Sequence, residues 1–176
     1  MAKSNKKGQR ILLDADVIIH FSKGGNILLL SKIFPQALLV LDKVLNELRK
    51  KSSFIQDVSN MLLYGIFEEI AFPETNAQVL TEYARLIKEG RGAGESACMA
   101  YCRFNQDILA SSNLRDIQVY CQQHNITYVT TMDFLAEAYK RNVMTESECD
   151  EFIYNVKSKG SKLPCNTIKD YVERQK

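Results

Sequence analysis

Residues 11–21 read ILLDADVIIHF, and this stretch decides which fold the sequence predicts. Three apolar residues precede Asp14, and a second apolar run follows Asp16. The pattern is typical of a short buried strand that ends in an acidic turn and leads directly into a helix. A carboxylate beside a buried strand costs several kcal/mol unless it is hydrogen-bonded, paired or bound to a metal, so both aspartates need an explanation.

Apolar runs alternate with helix-period stretches along most of the remaining chain. Five runs are predicted as strands, at residues 10–13, 37–42, 66–72, 107–111 and 126–130. Strands that alternate with helices predict an α/β fold, a three-layer α/β/α sandwich around a four- or five-stranded, mainly parallel sheet. We expect a basic flexible leader at residues 1–9, the domain at 10–158, and a basic extension with a short helix at 159–176.

The net charge of +2 hides an uneven distribution along the 176 residues. Residues 1–10 carry +4 and residues 157–176 also carry +4, which leaves −6 for the residues between them. A hydrophobic content of 45% with 25% charged residues excludes disordered and collagen-like chains. The acidic body with basic ends is therefore a feature that the function should explain.

Cysteine usage and hydropathy indicate the cellular compartment. The five cysteines include no C-x-x-C pair, and with only two histidines the chain does not suggest a zinc site. No apolar stretch precedes Ile11, as a signal peptide would require, and no run approaches the roughly 20 residues that span a bilayer. We therefore expect a reduced, cytoplasmic protein that does not associate with membranes.

The first three candidate carboxylates each have a structural alternative. Either Asp14 or Asp16 could cap the helix predicted from Val17, and Asp16 is the better cap, which leaves Asp14 as the better functional candidate. Glu47 could be a surface residue that pairs with a nearby lysine, at a gain of a few tenths of a kcal/mol. Its apolar neighbours Val44 and Leu48 favour a packed orientation instead.

The two remaining carboxylates stand near the starts of later helices. Glu95 follows GAG and opens an apolar helix, where the helix dipole alone would stabilise an anion. Asp116 follows Asn113 by three residues, which is also a capping pattern. As a set, carboxylates near strand ends and helix starts suit Mg²⁺ or Mn²⁺, which bind substrate phosphates, while basic residues outside the pocket would contact a nucleic-acid backbone.

The chain resembles a family of metal-dependent nucleases in the order of four motifs. ILLDADVI, DKVLNEL, GAGESACMAYC and DILASSNLRDI follow one another as in PIN-domain proteins, over roughly residues 10–142. The small bacterial and phage-type members, some of them toxins of toxin–antitoxin pairs, are the most similar. The resemblance implies a parallel-sheet α/β/α sandwich and a Mg²⁺- or Mn²⁺-dependent ribonuclease that leaves a 5′-phosphate and a 3′-hydroxyl.

The resemblance assigns three of the four family acids to motif positions. Asp14, Glu47 and Glu95 match the first, second and third acids. The fourth usually follows the next strand directly, where this chain reads SSN and has no acid before Asp116. We expect Asp116 to substitute for it in catalysis and metal binding. We expect supporting roles for Asp16, Ser112 and Asn113. Arg91 and Arg115 are the candidates for contacts with the nucleic-acid backbone.

The resemblance also implies partners, and the sequence leaves two other functions open. The resemblance implies RNA, single-stranded or structured, as substrate, with an antitoxin and a homodimer as further partners. The missing fourth acid also allows a PIN-like module that binds RNA or protein with weak or no cleavage. A third hypothesis is a phosphatase, because LLDADV resembles the first motif of haloacid-dehalogenase-type phosphatases. The chain has no Asp-Asp or Gly-Asp dipeptide, however, to match the late acidic pair of that family.

Overall fold

The computed structural model describes residues 8–175. Residues 1–7, which make up most of the predicted basic leader, and residue 176 lie outside the described residues. Within residues 8–175, no helix is both long and apolar enough to cross a membrane.

Five strands form one parallel sheet, which confirms the predicted fold class. Their order across the sheet is β3-β2-β1-β4-β5, and every neighbouring pair is parallel. All residues of β1, β2 and β4 are buried, as expected for strands that are covered on both faces. The strands are β1 (Ile11–Leu13), β2 (Leu38–Leu41), β3 (Phe67–Ile70), β4 (Ile108–Ala110) and β5 (Tyr128–Val129).

Ten helices surround the sheet in the part of the chain that the structure describes. Helix α6 contacts α3, α5 and α7, and α1 contacts α4, α8 and α9, while α3 also contacts α1 and α4. With the sheet between two layers of helices, the architecture is an α/β/α sandwich. The helices are α1 (Ala15–Lys23), α2 (Leu30–Ile33), α3 (Asp42–Lys50), α4 (Ser52–Leu63), α5 (Ala77–Lys88), α6 (Ala93–Asn105), α7 (Leu114–Gln123), α8 (Thr131–Lys140), α9 (Glu146–Ser158) and α10 (Ile168–Arg174).

The start of α1 differs from the prediction. The helix begins at Ala15, and Asp14 is its N-cap, with Oδ1 accepting a hydrogen bond from the Ala15 amide at 2.7 Å. The preference for Asp16 as the cap was therefore wrong. The reason is that Asp16 lies inside the first turn, and its carboxylate is bound to another segment of the chain.

The C-terminal segment packs against the domain through α10. Tyr171 donates a hydrogen bond to Asp133 Oδ1 of α8 at 2.7 Å, and the Ile168 amide donates to Asp150 Oδ1 of α9 at 2.7 Å. The Ile168 side chain is fully buried in the main core. The short helix expected in this region is present, and it contributes to the same core as the sheet.

An aromatic cluster joins the end of α1 to α8 and α9. The Phe21 ring makes edge contacts with Phe134 and Phe152, with centroids 5.7 Å and 5.0 Å apart. Gly24 follows α1 with right-handed backbone angles, yet a Cβ at this position would overlap the buried Phe152 ring. The close approach of the ring, not the backbone conformation, therefore requires glycine at this position.

We predict that Gly24→Ala destabilises the protein by about 1–3 kcal/mol, the usual cost of overpacking a core. The measurement is the free energy of unfolding in urea for this variant and for Gly24→Ala combined with Phe152→Leu. The smaller leucine should relieve most of the overlap, so the alanine should cost less in that background. An equal cost in both backgrounds would contradict the steric explanation.

Candidate functional site

Polar residues meet at the carboxyl edge of the sheet, where three neighbouring strands end. The Asp14 amide donates to the Ala110 carbonyl at 2.9 Å, and the Ser111 amide donates to the Val129 carbonyl at 3.1 Å. Parallel pairing thus aligns the residues that follow β1, β4 and β5. The predicted acidic turn therefore lies beside the SSN run, although the two are nearly one hundred residues apart in sequence.

Asp14 occupies the most buried position of the site. Only 5% of the residue is exposed, and burial raises the pKa of its carboxyl well above the ordinary value. The negative charges of Asp16 and Glu95 raise the pKa further, whereas the hydrogen bond from Ala15 lowers it. Asp14 therefore lies close enough to Asp16 and Glu95 for their negative charges to disfavour its own ionised form.

Asp16 connects the start of α1 to the segment after β4. Its Oδ2 accepts a hydrogen bond from the Ser112 amide at 2.7 Å and a longer one from Ser111 Oγ at 3.4 Å. Its Oδ1 is buried and has no hydrogen-bond partner among residues 8–175. Burial raises the pKa of Asp16, and the Ser112 hydrogen bond opposes that rise. One oxygen of this carboxylate thus lacks a hydrogen-bond partner within the described residues.

Glu47 packs against the first turn of α6, as its apolar neighbours predicted. Its Oε1 accepts a hydrogen bond from the Gly94 amide at 2.8 Å. A Cβ at Gly94 would lie 2.9 Å from Glu47 Oε2, whereas a Cβ at Gly92 would lie at an ordinary 3.6 Å from Oε1. The glycine at position 94 therefore leaves space for this carboxylate.

Glu95 and Asp116 are joined by one side-chain amide. Asn113 Nδ2 donates to Glu95 Oε1 at 2.8 Å and to Asp116 Oδ2 at 2.6 Å. The pKa of Glu95 is raised to about 7, first by burial and then by the charge of Asp116, against the opposing effects of Asn113 and Arg91. Asn113 makes no capping hydrogen bond to α7, so the capping pattern expected for Asn113 and Asp116 is replaced by a bridge between side chains.

The two candidate phosphate-binding arginines differ in their surroundings. Arg91 Nη1 donates to the Asp116 carbonyl at 2.7 Å and lies 3.6 Å from Asp116 Oδ1. Arg91 Nε also lies 3.5 Å from Glu89 Oε2. Arg115 is exposed in the first turn of α7. Arg91 therefore anchors α7 within the protein. Arg115 has the surface position that a contact with a nucleic-acid backbone requires.

A polar chain that begins at His20 lies below the site and was not among the predictions from the sequence. His20 Nδ1 lies 2.9 Å from Thr131 Oγ1, which accepts a hydrogen bond from Ser112 Oγ at 2.8 Å. Burial and the nearby Lys23 charge lower the pKa of His20 to about 4, so the ring is neutral at pH 7. The available signal was the pair of threonines at the end of the last strand, which marks the same sheet edge.

The oxygen donors suit a hard divalent cation, but they are not gathered into a finished coordination sphere. Within the described residues, no three or more His, Cys, Asp or Glu side chains are grouped closely enough to hold a metal ion. The unpartnered Asp16 Oδ1 and the space at Gly94 that Glu47 fills are the features that fit such a cation. The Asn113 bridge holds Glu95 and Asp116 through an amide instead.

Comparisons with known proteins add no family to this geometry. No protein-family model matches the chain, and no curated protein or solved structure is detectably similar to it.

Proposed function

We propose that the protein is a Mg²⁺- or Mn²⁺-dependent endoribonuclease of the PIN type, with its active site at the carboxyl edge of the sheet. The observation that carries the proposal is the concentration of buried and partly buried carboxylates there, because burial and mutual repulsion raise the pKa of both Asp14 and Glu95. Such an arrangement is costly in the free protein, and a divalent cation would offset the cost by neutralising the charges.

Asp14, Glu47 and Glu95 would hold the cation. All three are oxygen donors, and each is oriented by a hydrogen bond, from the Ala15 amide, the Gly94 amide and the Asn113 side chain respectively. When bound, Mg²⁺ or Mn²⁺ supplies charge neutralisation at a phosphodiester and lowers the pKa of a water. Within the chain, Ser112 and Asn113 would orient water and substrate, and the Arg115 guanidinium would contact the RNA backbone.

The substrate and partners belong to the same proposal. We infer RNA, single-stranded or structured, as the substrate, and an antitoxin and a second copy of the chain as protein partners. A cytoplasmic location suits the five cysteines, which are free and buried.

A second candidate is a PIN-like module that binds RNA or protein without cleaving it. The observation that favours it is the Asn113 bridge, which occupies an oxygen of Glu95 and one of Asp116. The two candidates differ in whether cation binding leads to cleavage.

The test is RNA cleavage by the full-length protein in the presence of Mn²⁺. We expect Asp14→Asn and Glu95→Gln each to lower the rate by at least about a hundredfold, because losing an outer partner of a metal site alone costs ten- to a hundredfold. Glu68→Gln, at an exposed position of β3, is the matched control and should cleave normally. RNA binding without cleavage at every Mn²⁺ concentration would exclude the nuclease and favour the second candidate.

Replacing Gly94 by alanine should weaken cation binding without a matching loss of stability. The new methyl group would displace the Glu47 carboxylate, and alanine would raise helix stability by up to about 1 kcal/mol. We therefore expect Gly94→Ala to bind Mn²⁺ more weakly, by calorimetry, while its free energy of unfolding in EDTA changes little, because the gain in helix stability offsets part of the weakened hydrogen bond to Glu47. Gly92→Ala, with room for its methyl group, should keep the wild-type affinity, and an equal loss in both variants would refute the steric role.

The stability of the protein in EDTA should fall as the pH rises toward 7. The pKa of Glu95 is raised from 4.5 to about 7, so over this interval the folded protein keeps a proton that the unfolded chain has released. A folded state that binds more protons loses stability with rising pH, and the raised pKa of Asp14 acts in the same direction. Urea unfolding from pH 4.5 to 7.5 should therefore show a declining free energy of unfolding, with a shallower decline in Glu95→Gln and the wild-type decline in Glu68→Gln.

A further inference from the structure

The segment after β4 contains no acid, yet a carboxylate lies against it. The sequence there is Ser111-Ser112-Asn113, and the Ser112 amide donates to Asp16 Oδ2 at 2.7 Å. Asp16 comes from the first turn of α1, 96 residues earlier. The fold thus brings a carboxylate from another element to the position at which the chain itself has serine.

The second oxygen of Asp16 makes this carboxylate different from the others at the site. Asp16 Oδ1 is buried and has no hydrogen-bond partner within residues 8–175. Since buried polar atoms are nearly always satisfied, an orphaned carboxylate oxygen is a suitable acceptor for a bound water or cation.

Asp116 is already neutralised by the protein. Its Oδ2 accepts the Asn113 amide at 2.6 Å, and its Oδ1 lies 3.6 Å from the Arg91 guanidinium. The side chain is also 38% exposed, so water reduces the cost of its charge. Asp116 therefore needs no cation, and a cation near it would have to compete with Arg91.

We propose that Asp16, and not Asp116, is the fourth carboxylate of the cation site, with Oδ1 as its ligand atom and Oδ2 fixed by the Ser112 amide. Asp116 is then a positioning residue, which holds Asn113 and the start of α7 in place together with Arg91. The inference rests on the proposed function, because it assigns a ligand to the cation that the nuclease would use.

The test compares Asp16→Asn with Asp116→Asn by calorimetric titration of the full-length protein with MnCl₂. An asparagine at position 16 can still accept the Ser112 hydrogen bond, but it removes the charge. We expect Asp16→Asn to weaken Mn²⁺ binding by about tenfold or more. Asp116→Asn should weaken binding by less than about threefold, because exposed charges contribute little.

Thermal unfolding in EDTA and in Mn²⁺ provides a readout that a purely structural role would not give. Without cation, Asp16→Asn should unfold at the wild-type temperature or above, because one of the repelling buried charges has been removed. With Mn²⁺, its gain in unfolding temperature should be smaller than that of the wild type. A lower unfolding temperature in EDTA with wild-type Mn²⁺ affinity would make Asp16 a structural anchor and overturn the inference.

Two further outcomes separate this inference from the proposed function. If the wild-type protein binds Mn²⁺ and Asp116→Asn loses as much affinity as Asp16→Asn or more, the assignment of Asp16 is wrong and the nuclease proposal survives. If the wild-type protein binds no Mn²⁺ at all, both proposals fail together.

Discussion

The pairing of β1 with β4 is the constraint on which the rest of the structure depends. β1 is the central strand, and its three residues are at most 1% exposed. Leu13 pairs with Ala110, so that the next residue on each strand emerges at the same edge of the sheet. Because the strand is buried on both faces, the carboxylate that follows it has little access to water. The high pKa of Asp14 is thus a direct consequence of the position of β1.

Partly buried carboxylates near this edge compensate for their lost contact with water by accepting backbone hydrogen bonds from other segments. Asp16 accepts from the Ser112 amide after β4, Glu47 from the Gly94 amide of α6, and Asp42 from the Phe72 amide after β3. Each of these bonds joins two segments that are distant in sequence. A hydrogen bond to a charged acceptor contributes about 1.5–3 kcal/mol, so the acidic residues also hold the loops together. The site is therefore built by the same interactions that fix the carboxyl edge of the sheet.

The sequence predicted the fold well because the fold is encoded in local patterns. Short apolar runs and helix-period stretches indicate strands and helices without reference to distant residues. The capping box that Thr145 and Glu148 form at the start of α9 is likewise a local pattern, Thr-x-x-Glu. The packed orientation of Glu47 was predicted for the same reason, since Val44, one turn before it, and the adjacent Leu48 are both buried.

Long-range hydrogen bonds account for what the sequence could not predict. Asp16 was preferred as a cap because nothing near it in sequence indicates a bond to Ser112. The contact of His20 with Thr131 could not be predicted, because Thr131 follows it by 111 residues. The docking of α10 on Asp133 and Asp150 was invisible for the same reason.

Helix α1 couples the candidate site to the most aromatic part of the core. Its first turn carries Asp16 and its last turn carries Phe21, which packs on rings from α8 and α9. A helix of 9 residues is only about 13 Å long, so both ends move together if the helix shifts as a rigid body. The aromatic contacts therefore fix the position from which Asp16 reaches Ser112. Repulsion among the carboxylates would push the first turn of α1 away from β4, and the packing of Phe21 opposes that displacement.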